Sequence, residues 1–222
     1  MNDRKRAVRY GISFVILAVL LIFLFIWNVN SGSIHLSVQE ILNIIFRHQG
    51  DETSYNIVWE IRLPRILAVI ILGGALSVSG FLLQTFFNNP IAGPFVLGIS
   101  SGAKLIVAFL MIFLLSRSVS IGSGAMILAA FAGSMISMGF VLLVAKKVHN
   151  MSMLVISGVM IGYICSAITD FVVTFADDSN IVNLHNWSLG SFSGMTWGNV
   201  QTMAAVVLLT MVIVFFMSKP IS

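Results

Sequence analysis

The 222 residues are 58% hydrophobic and only 9% charged, with a mean hydropathy of +1.02. That composition excludes a water-soluble domain, because no aqueous fold of this length could hide so much apolar surface. The net charge of +4 is too small to argue for nucleic-acid binding, and a single cysteine, Cys165, excludes an intramolecular disulfide.

Taken in chain order, the basic cluster Arg4, Lys5, Arg6 and Arg9 precedes a first apolar run, Gly11 to Val29. The run exceeds a usual signal core and no A-x-A cleavage site follows, so it reads as a first membrane anchor. Residues 30–60 are polar and mixed. Leu36, Ile41, Leu42, Ile44, Ile45 and Phe46 there predict a short amphipathic helix within an extramembrane loop. Further spans are predicted at about Pro64 to Leu83, Ser100 to Leu115, Ala125 to Ala145, Met153 to Phe175 and Val200 to Met217. The fold class is therefore all-α, a polytopic transmembrane bundle of about six spans, and residues 1–222 read as one membrane domain. With the N-terminus inside, Arg4, Lys5, Arg6, Arg9, Lys146, Lys147 and Lys219 face the cytoplasm and Arg47, Arg62, Arg65 and Arg117 face out. This asymmetry of basic residues supports a cytoplasmic N-terminus.

Small and polar residues recur at helical spacing inside the spans. Gly73, Ser77, Gly80 and Gln84 form one stripe, Gly158, Gly162, Ser166 and Asp170 another, and Ala129, Gly133 and Ser137 a third. Two readings stand: close-packing faces between helices, or a weakly polar pathway lining. Gln84 and Asp170 favour the second, because a carboxylate or amide in hydrocarbon needs a partner or water. Asp170 also lies close to Asp177 and Asp178, so an interfacial, solvated position fits it equally.

Gln84 to Lys104, QTFFNNPIAGPFVLGISSGAK, places two prolines, three glycines and two asparagines between apolar spans. Pro90 and Pro94 prevent a continuous helix. Irregular backbone at membrane depth is tolerated only where protein or a water-filled cavity satisfies its polar groups, so the segment is either a cytoplasmic turn before a capped helix or a broken stretch lining a pathway. His35, His48, His149 and His185 are scattered without metal-ligand spacing, and no Walker A motif, nucleophile–base pair or paired carboxylates occur. No cofactor and no enzymatic activity are expected of this chain.

The run IRLPR at 61–65, the glycine-rich span after it, Gln84, NNPIAGPFVLGISSGA at 88–103 and WSLGSFSGMTW at 187–197 together resemble the FecCD family. The likeness extends over nearly the whole chain. These are permease subunits of binding-protein-dependent ABC importers for iron–siderophore complexes, haem and vitamin B12, in the bacterial cytoplasmic membrane. The resemblance implies a permease fold of about ten spans, of which this chain carries six, ending at SKPIS before the remainder. The partners it implies are a second permease copy or a related permease, cytoplasmic ATPase subunits, an extracytoplasmic binding protein and the lipid bilayer, with no nucleic acid. It further implies that Arg62 and Arg65 dock the binding protein through its glutamates, where guanidinium forks give oriented contacts to carboxylates. Asn89, Pro90 and Ile91, with Asn150 to Ser152 (Asn150 and Ser152 in particular), match positions that narrow the inner end of the pathway in relatives. Gln84 joins that group, and Ser77, Gly80, Gly162, Ser166 and Asp170 are candidates for the lining. An ion-coupled secondary transporter or channel is the alternative from a different class, since broken helices mark pathways there too.

Overall fold

The structure, a computed structural model, describes residues 2–32, 34, 36–115, 122–147 and 151–221. It divides into two compact units, Met1–Gly74 with Phe192–Pro220, and Ala75–Ser191.

The first unit begins with α1, Asn2–Asn30. At 1.5 Å per residue this helix is about 44 Å long, more than the roughly 30 Å hydrocarbon core requires. The expected amphipathic helix is present as α2, Val38–Arg47, and its sequence explains both ends. Ser37 and Glu40 form a capping box: the Ser37 hydroxyl accepts the Glu40 N–H at 3.2 Å and the Glu40 carboxylate accepts the Ser37 N–H at 2.8 Å. His48 closes the helix in the left-handed conformation, φ 53°, with its N–H on the Asn43 carbonyl. Ile41 and Ile44 on the apolar face of α2 are buried with Val29, Leu36, Val58, Leu63 and Ile66.

Helix α3, Glu52–Asn56, runs through a π-helical stretch, Ile57–Arg62, directly into α4, Leu63–Phe86. The helix thus starts twelve residues before the Pro64 expected from hydropathy, because the polar residues of α3 carry no apolar signal. The π register is what admits Pro64. Leu63 donates its N–H to the Val58 carbonyl five residues back. The same register would pair the next nitrogen, at Pro64, with the Trp59 carbonyl, but proline has no N–H. The indole Nε1 of Trp197, in the first turn of α9 (Trp197–Ile221), donates to that carbonyl at 2.9 Å. The two rings sit 5.3 Å apart, with Tyr55 and His48 on the other contacts of Trp59.

The second unit holds the rest of α4 and then α5, Ile99–Leu110, which continues through a π-helical stretch, Met111–Leu115. It is completed by α6, Ser123–Ala145, α7, Met151–Val173, and α8, Asp178–Leu189, a polar helix absent from the sequence expectation. Helix α5 packs against both α6 and α7. The contact with α6 is a backbone approach: a Cβ on Gly133 would lie 2.2 Å from the Gly102 carbonyl oxygen. Small residues permit such approach and dispersion supplies the attraction, since lipid tails offer no hydrophobic drive between helices.

Among the described residues five helical stretches are long and apolar enough to cross a membrane: Lys5–Asn30, Glu52–Phe86, Gly124–Ala145, Ser152–Val173 and Trp197–Met217. The sixth expected span is the shorter apolar helix Ile99–Phe113. Phe14, Phe131 and Phe216 are among many large apolar side chains that face outward, which suits a lipid surface and not water. The protein is a multi-pass membrane protein built of helices.

Candidate functional site

Among the described residues, two places between or beside apolar helices hold ordered polar structure, one in each unit. In the first, Arg62 closes the π-helical stretch and points back to the end of α1. Its Nη1 donates to the Val29 carbonyl and its Nη2 to the Ile34 carbonyl at 2.9 Å. Val29 lies in the last turn of α1, where carbonyls have no helical partner and the helix dipole is negative. Hydrogen bonds to a charged group contribute about 1.5–3 kcal/mol each, so the pair is a substantial tether of Val29 and Ile34 to Arg62. Gly32 makes room for it: a Cβ there would lie 2.3 Å from Nη2. Arg62 is 8% exposed, so it does not stand at the open aqueous edge where the sequence reading put it. Arg65, one turn on, is half-buried, and its Nε is enclosed without a hydrogen-bond partner.

In the second place, residues 87–98 fold as a chain of tight turns. Asn88 adopts the left-handed conformation, φ 45°, which asparagine tolerates better than most residues. The Asn89 side-chain oxygen accepts the Ile91 N–H at 2.9 Å across Pro90, and the Asn89 carbonyl accepts the Ala92 N–H at 3.1 Å. This is the asparagine-led turn that the N-N-P sequence encodes. Phe87, Ala92 and Leu97 anchor the segment by full burial against Val141, Leu154 and Val155, while Pro90, Ile91 and Phe95 are exposed. The segment ends at Gly98, φ 73°, which initiates α5. A Cβ at Gly98 would lie 2.7 Å from both the Gly158 carbonyl oxygen and the Gly162 nitrogen of α7. The Gly98 carbonyl accepts the Gly102 N–H at 3.0 Å and the buried Ser137 hydroxyl of α6 at 2.9 Å. Protein groups thus supply hydrogen-bond partners for much of this irregular backbone.

Of the other residues singled out from sequence, Gly162 is buried beneath Gly98 and Ser166 is half-buried on the same helix. Asp170 is exposed in the last turn of α7, Ser152 is exposed in its first turn, and Asn150 lies outside the described residues. Ser77 and Gln84 are exposed along α4 and Gly80 is half-buried. The structure brings the stripes on α6 and α7 onto the two sides of the 97–102 segment, so Gly133, Ser137, Gly158 and Gly162 serve as a packing seat for it. A cavity of about 270 Å³ beside this seat is lined by apolar side chains with Ser137 and Cys165. Sequence reading missed the Trp59–Trp197 link and the burial of Arg62. Tryptophans at 59 and 197 were visible, but the Trp197 indole and the Arg62 guanidinium bond to backbone carbonyls, which no residue type announces. Among the described residues no cluster of three or more metal-ligating side chains occurs, and His35 and His149 lie outside them.

Comparison with known proteins gives a consistent picture. The family model described as the FecCD transport family matches residues 20–222. The vitamin B12 import system permease protein BtuC of Escherichia coli O6:H1 is 37% identical over 150 residues, covering 68% of this chain and 45% of that protein. The protein of the same name from Shigella boydii serotype 18 gives the same figures. The chain thus spans about half the length of the curated relatives it matches. Among solved structures, an inward-facing metal-chelate type ABC transporter aligns with a TM-score of 0.74 at 23% identity, covering 92% of this chain and 61% of that one, which establishes likeness of fold.

Proposed function

The chain belongs to the FecCD transport family, and from that premise we propose that it is the permease subunit of an ATP-driven importer. The cargo class is a metal chelate, as an iron–siderophore complex or haem, or a corrinoid such as vitamin B12. The observation that carries the reading is the 87–98 segment: a proline-interrupted stretch between apolar helices, held in one conformation by Gly98, Ser137 and the glycines of α7. Broken backbone of this kind is retained in membrane proteins where it borders a pathway.

In this proposal a separate ATPase drives the cycle and this chain performs no covalent chemistry. A second permease copy or a related one completes the pathway, and an extracytoplasmic binding protein delivers the cargo. The N-terminus and the Lys146–Lys147 turn face the cytoplasm, on the strength of the basic-residue asymmetry. Arg65 faces the binding protein with Arg62 beside it, and Asn89, Pro90 and Ile91 stand at the inner end with Asn150 and Ser152. Gln84, Ser77, Gly80, Ser166 and Asp170 contribute to the lining. Asp170 is exposed at a helix end, which does not favour the buried ionisable relay that an ion-coupled transporter would use.

The test is reconstitution in liposomes with the cognate ATPase and binding protein, using ferric siderophores, haem and cyanocobalamin as candidate cargo. Uptake of one of them that requires both ATP and the binding protein is expected. Uptake driven by an ion gradient without ATP would replace the proposal by its alternative.

A further inference from the structure

Two apolar helices of the second unit end at one cavity. The apolar stretch Ile99–Phe113 and the candidate span Ser152–Val173 both stop beside a space of about 580 Å³. On its apolar side it is walled by Phe113, Ile168, Phe171 and Phe175, all of them exposed. Beyond the end of the span it is closed by Asp177 and Asn180, at the start of α8. A cavity that straddles the end of a span lies where hydrocarbon gives way to headgroups, and its volume is that of a ligand site.

The polar end has unmet capacity. Asp177 is exposed at the N-cap of α8, yet its carboxylate accepts no bond from the first turn and makes no ion pair among the described residues. Asn180 is 5% exposed, and among the described residues no hydrogen bond reaches its carboxamide. An amide buried so deeply calls for a partner, and the cavity it lines is where one can reach it. The two side chains thus set a negative charge and an amide oxygen at the end of an apolar bed. The complement is an amphiphile with an acyl chain and a cationic head. A primary ammonium carries three donors, enough for the Asp177 carboxylate and the Asn180 oxygen together, whereas a quaternary one carries none.

We propose that this cavity is a binding site for an ethanolamine phospholipid of the bilayer. The acyl chain lies against Phe113, Ile168, Phe171 and Phe175, and Asp177 and Asn180 hold the headgroup ammonium. The first-turn N–H groups of α8, which Asp177 leaves uncapped, suit the phosphate beside that ammonium. The site is independent of the cargo and of the importer reading.

The test uses the full chain in liposomes of phosphatidylcholine and phosphatidylglycerol, with a trace of phosphatidylethanolamine that carries a diazirine in one acyl chain. After irradiation, peptide mass spectrometry compares adducts at Phe113, Ile168, Phe171 and Phe175 with adducts at Leu209 and Phe216, which are exposed on α9 and report ordinary bilayer contact. The ratio should be about tenfold higher than with the same diazirine on phosphatidylcholine, whose head donates no hydrogen bond. Asp177→Asn should bring the two probes together. Asparagine caps a helix as well as aspartate does, so α8 keeps its start and only the charge is lost. Asn180→Leu, similar in size, should lower the ratio about threefold. Soluble phosphoethanolamine should not compete with the lipid probe.

Equal ratios for the two probes in the parent, or no change in Asp177→Asn, would reduce the site to ordinary bilayer contact and overturn the proposal. Absence of adducts at all four positions would show that protein covers the cavity, with the same consequence. Displacement of the probe by soluble phosphoethanolamine would overturn the lipid assignment in favour of a free amine.

Discussion

The connection after α1 and the connection after α4 both leave helical backbone groups to be satisfied, and they do so by different means. After α1 a charged side chain does it: Arg62 spans Val29 and Ile34 from a distance of about thirty residues in sequence. After α4 uncharged groups do it. Turns led by Asn88 and Asn89, a serine hydroxyl and glycines packed backbone to backbone hold residues 87–98. The difference follows from what each solution requires. A guanidinium reaches far and tolerates some sequence change around it, but it must be surrounded by acceptors. Glycine packing needs no charge in an apolar setting but leaves no room for even one methyl group. The first connection should therefore loosen by degrees when altered, and the second should fail abruptly.

The largest expected effect is at Gly98. Alanine there meets backbone on two sides of α7 and must also hold φ 73°, so Gly98→Ala should destabilise by about 3 kcal/mol or more, or prevent folding. Gly139→Ala is the control, since nothing lies within 4 Å of a Cβ at that position. Thermal unfolding of the purified proteins in detergent measures both, and equal stability would show that the backbone approach is not tight. Next comes Ser137→Ala, which removes a buried donor from the Gly98 carbonyl and should cost about 1–2 kcal/mol by the same measurement. No loss there would mean that the Gly102 N–H alone satisfies the carbonyl.

In the first unit, Trp197→Phe keeps a ring beside Trp59 but deletes the indole donor that stands in for the absent N–H of Pro64. A loss of about 1 kcal/mol is expected, and hydrogen exchange should quicken around 57–63; a change confined to α9 would break the link drawn between the two elements. The smallest effect concerns α2. The Ser37 backbone N–H and then its hydroxyl hold the Glu40 carboxyl below its ordinary value of 4.5. Because the folded pKa is lowered, the stabilisation is present above the unfolded pKa and is lost as pH falls through the folded one. Amide protection in α2, corrected for intrinsic exchange, should thus drop below about pH 4.5 in the parent and be less sensitive in Glu40→Gln. Identical profiles would show that the capping box does not hold the helix start.

Much of this architecture was legible in the amino-acid sequence, and the part that was not has a physical cause. Apolar runs near 20 residues announce spans directly, and the i, i+3, i+4 spacing of Ile41, Ile44 and Ile45 announced α2. The break at Pro90 and Pro94 followed from the missing N–H groups. Polar helices gave no such signal, so α3 and α8 went unseen, and the helix leading into Pro64 looked like its own beginning. The stripes with Gly133 and Gly162 were readable as small faces, but which backbone they admit depends on tertiary placement. Arg62 shows the limit most clearly: its type and position suggested an exposed cation, while its partners are carbonyls of residues that any amino acid would supply.

Orientation is the measurement on which the proposal turns, since the proposed docking at Arg65 and the proposed narrowing at Asn89 require opposite sides of the membrane. Single cysteines at Ser54 and at Lys147, in a Cys165→Ser background, can be labelled in intact cells with a membrane-impermeant maleimide. The account predicts that position 54 reacts from outside and position 147 reacts only after the membrane is opened. Labelling of position 147 in intact cells, with position 54 protected, would contradict it.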